Sequence, residues 1–376
     1  MRILIAPDSF KESLSAAEVT KAIKQGFSKV YPQASYDLLP LGDGGEGTLD
    51  SLTQALDLEK YQTEVTGPFG DRICVDYARR DGLAVFEMAA IVGLASIPLE
   101  KRNPLLVSTR GVGELLVELV QKGVNQFFIG IGGSASHDGG IGMAAGLGVK
   151  FYDREGQELE AIGANLGKIA DFSQDDIGID LSSVQIDLVT DVDNLLCGPQ
   201  GATYVFAGQK GLEATKFEQV DREMERFYQL VNSVILTLAG AGAGGGMAAG
   251  LVQFAGARIQ TGINFVLDQL DFDKRVTEAD LVIVGEGRMD AQSLAGKTPI
   301  GVARRTPTGI PIIAICGSLK DDLPDFPFEK ICAAFPIIAE VDDLENTLKK
   351  GEKNLVRTAE QVARILQLGG KLEEFN

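Results

Sequence analysis

The feature that most constrains the fold is a unit at the start of the chain: a short apolar strand, a loop rich in small residues, and an amphipathic helix. Residues 3–6 predict the first strand, and the spacing of Ser15 and Glu18 predicts a capping box at the start of the first helix. The unit then repeats, with a strand predicted at 36–41 and a helix at 48–56. Alternation of this kind is typical of a parallel sheet covered by helices.

The same texture returns near the end of the chain. Strands are predicted at 281–285, 312–316 and 331–335, and helices at 298–306 and 343–367. We therefore expect an α/β protein in which both chain ends build one doubly wound parallel sheet.

The middle of the chain has a different pattern. Strand-like runs at 61–66, 72–79 and 83–88 are separated by Gly-Pro and Asp-Gly turn signals, which predicts an antiparallel meander. Further strands are predicted at 127–131 and 185–190, and helices at 110–122, 140–147 and 214–239. The expected organisation is a doubly wound domain over residues 1–60 and 276–376, interrupted by an α/β domain with a mixed sheet over 61–275.

Composition limits which cellular compartment and which kinds of partner we expect for the protein. The net charge of −18 gives no global basic field for nucleic acid or anionic lipid. The four cysteines are widely spaced, and Cys316 and Cys332 lie in apolar runs, so both are expected in the core of a protein from a reducing compartment. The first residues have no signal-peptide pattern, and no apolar run approaches the roughly 20 residues that span a bilayer. We expect a cytoplasmic protein with no membrane partner.

The loop after the first strand reads Pro7-Asp-Ser-Phe-Lys-Glu-Ser13. Its carboxylate, hydroxyls and ammonium group come before a helix, where an anionic carboxylate or phosphate is favoured. A helix cap with solvated side chains is the alternative. The loop after the second strand, Gly42-Asp-Gly-Gly-Glu-Gly47, carries two hard oxygen ligands of the kind that Mg²⁺ prefers. A tight turn with solvated acids explains that loop equally well.

A third glycine-rich loop, Gly130-Ile-Gly-Gly-Ser-Ala-Ser-His-Asp-Gly-Gly140, lies between a predicted strand and a predicted helix. Its backbone amides could hold a phosphate, but it fits the dinucleotide fingerprint only if the last glycine is relaxed. His137 is the single histidine of the chain, which rules out a metal site with several histidines.

The fourth segment, Gly285-Glu-Gly-Arg-Met-Asp290, follows a predicted strand and is itself followed by a near match to a Walker A loop. That match begins several residues after the strand and lacks its first glycine, so we do not interpret it as a P-loop. Two further segments could carry chemistry. Thr190-Asp-Val-Asp-Asn194 could share a cation or substrate hydroxyl, or form an Asx-capped turn. Gly240-Ala-Gly-Ala-Gly-Gly-Gly246 could be a flexible hinge or an anion-binding loop.

With one histidine and no tryptophan, general-base chemistry would fall to a carboxylate. A kinase needs little more than a metal and cations on the phosphates, and a residue that accepts or orients the hydroxyl proton.

Taken together, these loops resemble the bacterial glycerate kinase family, the type I or glycerate 2-kinase group. The resemblance spans essentially the whole chain and rests on six segments in order, which are APDSFKESLSAAE at 6–18, LPLGDGGEGT at 39–48, GIGGSASHDGG at 130–140, DVDN at 191–194, GAGAGGG at 240–246 and LVIVGEGRMDAQSLAGKTPIGVA at 281–303.

The resemblance implies a flavodoxin-like domain interrupted by a second α/β domain, with the active site in the cleft between them. It implies phosphoryl transfer from ATP, with Mg²⁺, to D-glycerate, giving 2-phosphoglycerate, with 3-phosphoglycerate as the alternative product. The site positions it implies are Asp8, Lys11, Asp43, Glu46, Ser134, Asp138, Asp191, Asp193, Asn194, Glu286, Asp290 and Lys297.

The roles we assign on this basis are hypotheses. The proton acceptor is Asp191, with Asp43 and Asp8 as rivals, and the glycerate carboxylate is bound by Lys11, Ser9, Arg288 and Lys297. The ATP phosphates are held by Gly132, Gly133, Ser134, Gly244 and Gly245, and the metal by Asp193, Glu286 and Asp290.

Three positions depart from the family pattern. His137 stands where Asn is common, Ala207-Gly-Gln-Lys-Gly211 replaces a Pro-Gln-Lys-Gly run, and Leu195 stands where proline is common.

Two alternatives to a glycerate kinase remain. One is a kinase for another small hydroxy acid or sugar acid, and the other is a small-molecule sensor without turnover.

Overall fold

The computed structural model describes residues 1–10, 13–42, 52–53, 56–190, 192–291, 293, 297–340 and 342–373. The strands are β1 Arg2–Ile5, β2 Ser35–Leu38, β3 Glu59–Thr66, β4 Arg72–Arg80, β5 Leu83–Glu87, β6 Gln126–Gly130, β7 Lys150–Tyr152, β8 Asp171–Ser173, β9 Gln185–Thr190, β10 Arg258–Thr261, β11 Leu281–Val284, β12 Arg288–Met289, β13 Ile312–Cys316, β14 Ser318–Leu319 and β15 Ile331–Pro336. The α-helices are α1 Ala16–Ser28, α2 Ala89–Val92, α3 Arg110–Gln121, α4 Ile141–Leu147, α5 Phe217–Val231, α6 Ala243–Ala255, α7 Gly262–Gln269, α8 Phe272–Val276, α9 Thr298–Arg305, α10 Leu344–Lys349 and α11 Gly351–Glu373.

The chain divides into two compact units. The first comprises residues 1–43, 50–56 and 262–376, and the second comprises 44–49 and 57–261. The boundaries expected at residues 60 and 276 concern domains that fold independently, and a division into compact units does not test them. They therefore stay predictions.

The first unit contains a five-stranded sheet with the order β15-β13-β11-β1-β2, and every neighbouring pair is parallel. Successive side chains of a strand point to opposite faces. Ile3 and Ile283 therefore share one face, where they pack with residues of α1 and α11 such as Phe27 and Val362. Leu4 is fully buried on the opposite face, and on this side α9 packs against β11 and α7. Helices on both faces make the sheet doubly wound, which confirms the predicted fold class.

The second unit contains a six-stranded mixed sheet with the order β10-β9-β6-β5-β4-β3. The strands from β10 to β5 are parallel, whereas β4 and β3 pair antiparallel as the predicted meander. Helices α3 and α4 cross closely, because a Cβ on Gly113 would lie 2.1 Å from the Met143 carbonyl oxygen. The large apolar core of this unit lies around the sheet and these helices.

Three local predictions are wrong. The helix expected over 214–239 ends at Val231, because Asn232 has extended backbone angles and its side chain caps a separate 3₁₀ turn, Ser233–Thr237. The helix expected over 343–367 is two helices that meet at Lys350. Cys332 is exposed rather than in the core, because β15 is an edge strand whose outer residues meet solvent; all four cysteines are free thiols.

No described helix is long and apolar enough to cross a membrane. The second predicted helix, over 48–56, lies largely outside the described residues.

The capping box predicted for α1 is present. The Ser15 hydroxyl accepts a hydrogen bond from the Glu18 amide at 3.3 Å, and the Glu18 carboxylate accepts one from the Ser15 amide at 2.8 Å. We predict that Ser15→Ala lowers the free energy of unfolding by about 1 kcal/mol, because the Glu18 amide at the helix start loses the hydroxyl that accepts its hydrogen bond. Urea unfolding measures this loss. The control Ser28→Ala, at the other end of α1, is expected to change the free energy of unfolding by less than about 0.5 kcal/mol. Equal losses for the two variants would contradict the role of the box.

Candidate functional site

The first candidate site lies at the carboxyl ends of β1 and β11, the two central strands of the first unit. In chain order, the strands of this sheet have the order 2-1-3-4-5, whose topological switch point lies between the first and third strands. The loops that leave β1 and β11 are joined directly, because the Asp8 amide donates to the Gly285 carbonyl oxygen at 2.8 Å. Residues about three quarters of the chain apart in sequence therefore meet where doubly wound sheets bind ligands.

The loop after β11 is held in place by close backbone packing. The Gly317 amide donates to the Glu286 carbonyl oxygen at 3.0 Å, and β12 pairs with β14 in parallel. A Cβ on Gly285 would lie 2.1 Å from the Ile315 carbonyl oxygen, so only glycine fits there. Gly285 and Gly317 thus permit close backbone packing on either side of Glu286, since a Cβ on Gly317 would lie 2.1 Å from the Gly287 carbonyl oxygen.

Asp8 and Asp290 are oriented by hydrogen bonds. Asp8 accepts from the Ser9 amide at 2.6 Å and from the hydroxyl of the fully buried Thr298 at 2.8 Å. Asp290 accepts from the Ser293 amide at 3.3 Å and lies 3.4 Å from the Arg288 guanidinium. Both carboxylates are therefore placed before any ligand arrives.

Glu286 is the unusual acid of this group. Its side chain is 8% exposed, and its Oε1 atom has no hydrogen-bond partner among the described residues. The pKa of Glu286 is raised to about 7, mainly by burial and to a lesser extent by the charges of Asp8 and Asp290, against the opposing effects of a hydrogen bond from Ser293 and the charge of Lys297. A buried carboxyl with a perturbed pKa and an unused oxygen marks a candidate functional site.

These side chains line a cavity of about 450 Å³ within the first unit. Its lining includes the charged residues Asp8, Glu286, Arg288, Asp290 and Lys297, together with Ser9. It also includes apolar residues, among them Phe10, Ile337 and Leu344. Two cations beside three acids can bind an anionic acid and a metal ion side by side.

The carboxylates that line this cavity suit Mg²⁺ in the way that phosphoryl-transfer enzymes usually bind it. Within the described part of the chain, no group of three or more His, Cys, Asp or Glu is arranged to hold a metal. Mg²⁺, however, commonly uses only one or two carboxylates and completes its shell with water and substrate phosphates. The unpartnered Oε1 of Glu286 and the nearby Asp290 provide such hard oxygen donors.

The second candidate site is the glycine-rich loop after β6, in the second unit. Gly132 is half-buried and Gly133 is exposed, whereas the residues from Ser134 to Gly140 are buried. The amides of Gly132 and Gly133 make no hydrogen bond to any described residue. Gly132 and Gly133 therefore combine backbone donors that bond to no described residue with access to the surface, which an anion requires.

The remainder of this loop packs against the other predicted glycine-rich segment. The Gly139 amide donates to the Gly245 carbonyl oxygen at 3.1 Å, and a Cβ on Gly245 would lie 2.2 Å from the Ser136 carbonyl oxygen. Gly244, Gly245 and Gly246 all have positive φ angles. Close backbone packing is thus sufficient reason for these glycines; a role in phosphate binding stays a prediction.

The surroundings of Asp138 are those of a residue that stabilises the fold. It is fully buried and accepts hydrogen bonds from the Thr109 hydroxyl at 2.7 Å and from the amides of Thr109, Gly140 and Gly142. Burial raises its pKa, although these hydrogen bonds oppose the rise. Its oxygens are occupied in joining the loop to α3 and α4.

Asp193 and Asn194 also lie in the second unit, and Asp193 is exposed. Their carbonyl oxygens accept hydrogen bonds from Gly240 and Gly242, both at 3.0 Å, which ties them to the glycine segment before α6. The predicted metal ligands are thus divided, with Glu286 and Asp290 in the first unit. Four predicted positions, Lys11, Asp43, Glu46 and Asp191, lie outside the described residues.

Sequence reasoning missed Lys210. Its ammonium group donates to the Ser134 hydroxyl at 2.9 Å and to the Ser136 carbonyl oxygen at 2.8 Å, and only 4% of the residue is exposed. Burial lowers the pKa of Lys210 to about 7, while the charge of Asp138 opposes the shift. The only signal was the departure of residues 207–211 from the family pattern, which did not single out the lysine.

Comparison with known proteins gives a consistent result. The model of the glycerate kinase family matches residues 3–367. A glycerate kinase of Neisseria meningitidis is 52% identical over 98% of this chain and 99% of its own length, and a glycerate 2-kinase of Escherichia coli is 38% identical over 98% and 99%. A crystal structure from Salmonella typhimurium LT2, provisionally described as glycerate kinase 2, superposes with a TM-score of 0.88 at 40% identity, covering 99% of both chains.

The fold and the family match are those of an ATP-dependent kinase. The chain belongs to the glycerate kinase family.

The raised pKa of Glu286 predicts a pH-dependent stability. Because the folded-state pKa of about 7 lies above the ordinary 4.5, the contribution of Glu286 to stability is full below pH 4.5 and is lost as pH rises through 7. In EDTA, we expect the free energy of unfolding of Glu286→Gln to equal that of wild type at pH 4.5. At pH 8 it should exceed the wild-type value by up to about 3 kcal/mol. Urea unfolding at both pH values tests this, with the exposed Glu155→Gln as the control. A pH-independent difference would contradict the burial of the charge.

Alanine substitutions at Gly245 and Gly256 distinguish the free-energy cost of a steric clash from the cost of backbone strain. Both have positive φ, but a Cβ on Gly256 would meet no atom within 4 Å. We predict that Gly256→Ala costs about 1–2 kcal/mol, from backbone strain alone. Gly245→Ala should cost a further 1–3 kcal/mol or so, because its methyl group collides with the Ser136 carbonyl oxygen. Equal losses of unfolding free energy in urea would show that the two glycine-rich segments do not pack as described.

Proposed function

We propose that the protein transfers the γ-phosphoryl group of ATP to the 2-hydroxyl of D-glycerate, giving 2-phosphoglycerate and ADP. The observation that carries this proposal is the cavity beyond β1 and β11, where Arg288 and Lys297 lie beside Asp8, Glu286 and Asp290. Cations are needed for the carboxylate of the acceptor, and acids for a metal ion and a hydroxyl proton. Membership of the glycerate kinase family supports glycerate as that acceptor.

Binding of the acceptor is assigned to the cations of the first unit. Lys297 and Arg288 would pair with the carboxylate of glycerate. Ser9, which also lines the cavity, is a further proposed donor, and Lys11 follows it in the same loop sequence. A carboxylate held in this way leaves the substrate hydroxyl groups beside the acids of the cavity.

Proton removal is assigned to a carboxylate. Asp191 and Asp43 are the candidates from the motif positions, and both lie outside the described residues. Asp8 is the candidate within the cavity, where its hydrogen bonds to Ser9 and Thr298 fix its orientation. A fixed carboxylate can orient the attacking hydroxyl group and accept its proton.

Mg²⁺ and the ATP phosphates are assigned to two groups of residues. Glu286 and Asp290 would hold the metal, and a bound Mg²⁺ would neutralise charge on the β- and γ-phosphates. Asp193, in the second unit, stays a metal ligand predicted from its motif alone. The free amides of Gly132 and Gly133 support the first glycine-rich loop as a phosphate site, with Ser134, Gly244 and Gly245 as its further proposed members. The four free thiols favour a reducing compartment such as the cytoplasm.

ADP release from Mg²⁺·ATP tests the function, with D-glycerate, L-glycerate, glycolate, tartronate and gluconate as acceptors. Gluconate belongs in the set because a cavity of about 450 Å³ has room for more than a three-carbon acid. We expect turnover with D-glycerate and a ³¹P signal from phosphate on O2. A phosphate on O3 would change the proposed product, and turnover with gluconate alone would make the protein a sugar-acid kinase. Binding of an acid with no turnover would make it a sensor.

Lys297→Met tests the assignment of the acceptor site. A charged hydrogen bond contributes about 1.5–3 kcal/mol, so we expect KM for D-glycerate to rise at least about tenfold while KM for ATP changes less than about threefold. The control Lys320→Met removes an exposed lysine near β14 that does not line the cavity. Steady-state kinetics decide the point; an unchanged KM for D-glycerate in Lys297→Met would remove Lys297 from the site.

A further inference from the structure

Lys210 lies at the end of a short 3₁₀ helix, Gly208–Lys210, in the second unit. A buried ammonium group is unfavourable unless hydrogen bonds compensate for the lost water. Lys210 makes two such bonds, and both go to the glycine-rich loop after β6, at the Ser134 hydroxyl and the Ser136 carbonyl oxygen. The hydrogen bonds of the Lys210 ammonium group therefore stabilise the glycine-rich loop after β6 and not the 3₁₀ helix that carries the lysine.

A second polar contact joins the same two segments. His137 Nε2 lies 2.9 Å from the hydroxyl of Thr203, which begins the π-helix Thr203–Ala207 immediately before the 3₁₀ helix. His137 is fully buried, and burial lowers its pKa to about 3, so this contact is between neutral groups. The segment 203–210 is thus attached to the loop at both of its ends, and only Lys210 brings a charge.

The charge of Lys210 has no direct counterion among the described residues. Asp138 is the nearest acid to influence it, but the oxygens of Asp138 are bonded to Thr109 and to loop amides. Tyr228, another buried residue here, donates its hydroxyl to the Gly139 carbonyl oxygen at 2.6 Å. A positive charge beneath a loop favours an anion on the loop's outer side.

Ser134 marks the point at which the loop becomes accessible. The residues after it are buried, whereas Gly132 and Gly133 before it have free amides and reach the surface. By fixing Ser134 and Ser136, Lys210 determines the direction in which those two amides point.

We infer that Lys210 is a positioning residue for a nucleoside triphosphate: its buried ammonium group holds Ser134 and Ser136 so that the amides of Gly132 and Gly133 face the phosphates. The inference rests on the proposed use of this loop for ATP. Lys210 itself need not touch the nucleotide, because it acts through the loop.

Lys210→Met removes the donors and keeps the length of the side chain. The matched control is Lys216→Met, an exposed lysine at the end of the next 3₁₀ turn, Ala214–Lys216. Titration calorimetry with a non-hydrolysable ATP analogue and Mg²⁺ is the first measurement. We expect the Kd of the analogue to rise at least about tenfold in Lys210→Met and less than about twofold in Lys216→Met. Steady-state kinetics should show KM for ATP rising in parallel, with KM for D-glycerate within about threefold of wild type.

A double-mutant cycle separates positioning from general support of the fold. If Lys210 acts through Ser134, then Ser134→Ala should weaken analogue binding in wild type and add little in the Lys210→Met background. Thermal unfolding shows whether each variant is folded, and Ser134→Ala alone keeps the test available if Lys210→Met is not. Wild-type analogue binding by folded Lys210→Met, or by Ser134→Ala, would overturn the inference. Wild-type protein that binds the analogue but does not phosphorylate glycerate would overturn the proposed function alone.

Discussion

The parallel pairing of β1 with β11 is the interaction on which the first unit depends. Ile3, Leu4 and Ile5 lie in register with Leu281, Val282 and Ile283, so residues from the two ends of the chain form the centre of one sheet. Because parallel strands end at the same edge, this register brings Asp8 beside the loop that carries Glu286. Apolar residues on both faces of the pair are covered by helices, which leaves the carboxyl edge as the accessible polar part.

Each unit places a buried ionisable group next to a loop whose glycines permit close backbone packing. In the first unit this group is Glu286, between Gly285 and Gly287, and in the second it is Lys210 beneath Ser134. Burial moves both pKa values toward neutrality, upward for the acid and downward for the amine. An uncompensated buried charge lowers stability, and such groups cluster at functional sites because a ligand of opposite charge can complete them.

Much of the architecture followed from local sequence patterns. Apolar periodicity predicted the central strands of both sheets, and Ser15 with Glu18 predicted the first helix start. These features depend on neighbours within a few residues, which a sequence displays directly. The breaks at Asn232 and Lys350 were missed, because apolar spacing continues through both positions and the backbone angles that end the helices do not appear in the pattern.

The candidate sites were harder to predict because they depend on distant contacts. The motif at 285–290 drew attention to Glu286, but its burial and its unpartnered oxygen arise from packing with residues such as Ile315 and Gly317. The glycines at 244–246 suggested a hinge or an anion-binding loop, whereas their close contact with Ser136 and Gly139 can be seen only in three dimensions. Lys210 reaches a loop more than 70 residues earlier in the chain, and no spacing rule relates the two.

The central claim is that the acid substrate binds at the switch point of the first unit, and a crystal structure of the protein with D-glycerate tests it most directly. The account predicts that the glycerate carboxylate lies within hydrogen-bond distance of Lys297 or Arg288, in the cavity lined by Asp8, Glu286 and Asp290. Glycerate bound to the glycine-rich loop of the second unit, with that cavity free of it, would contradict the account.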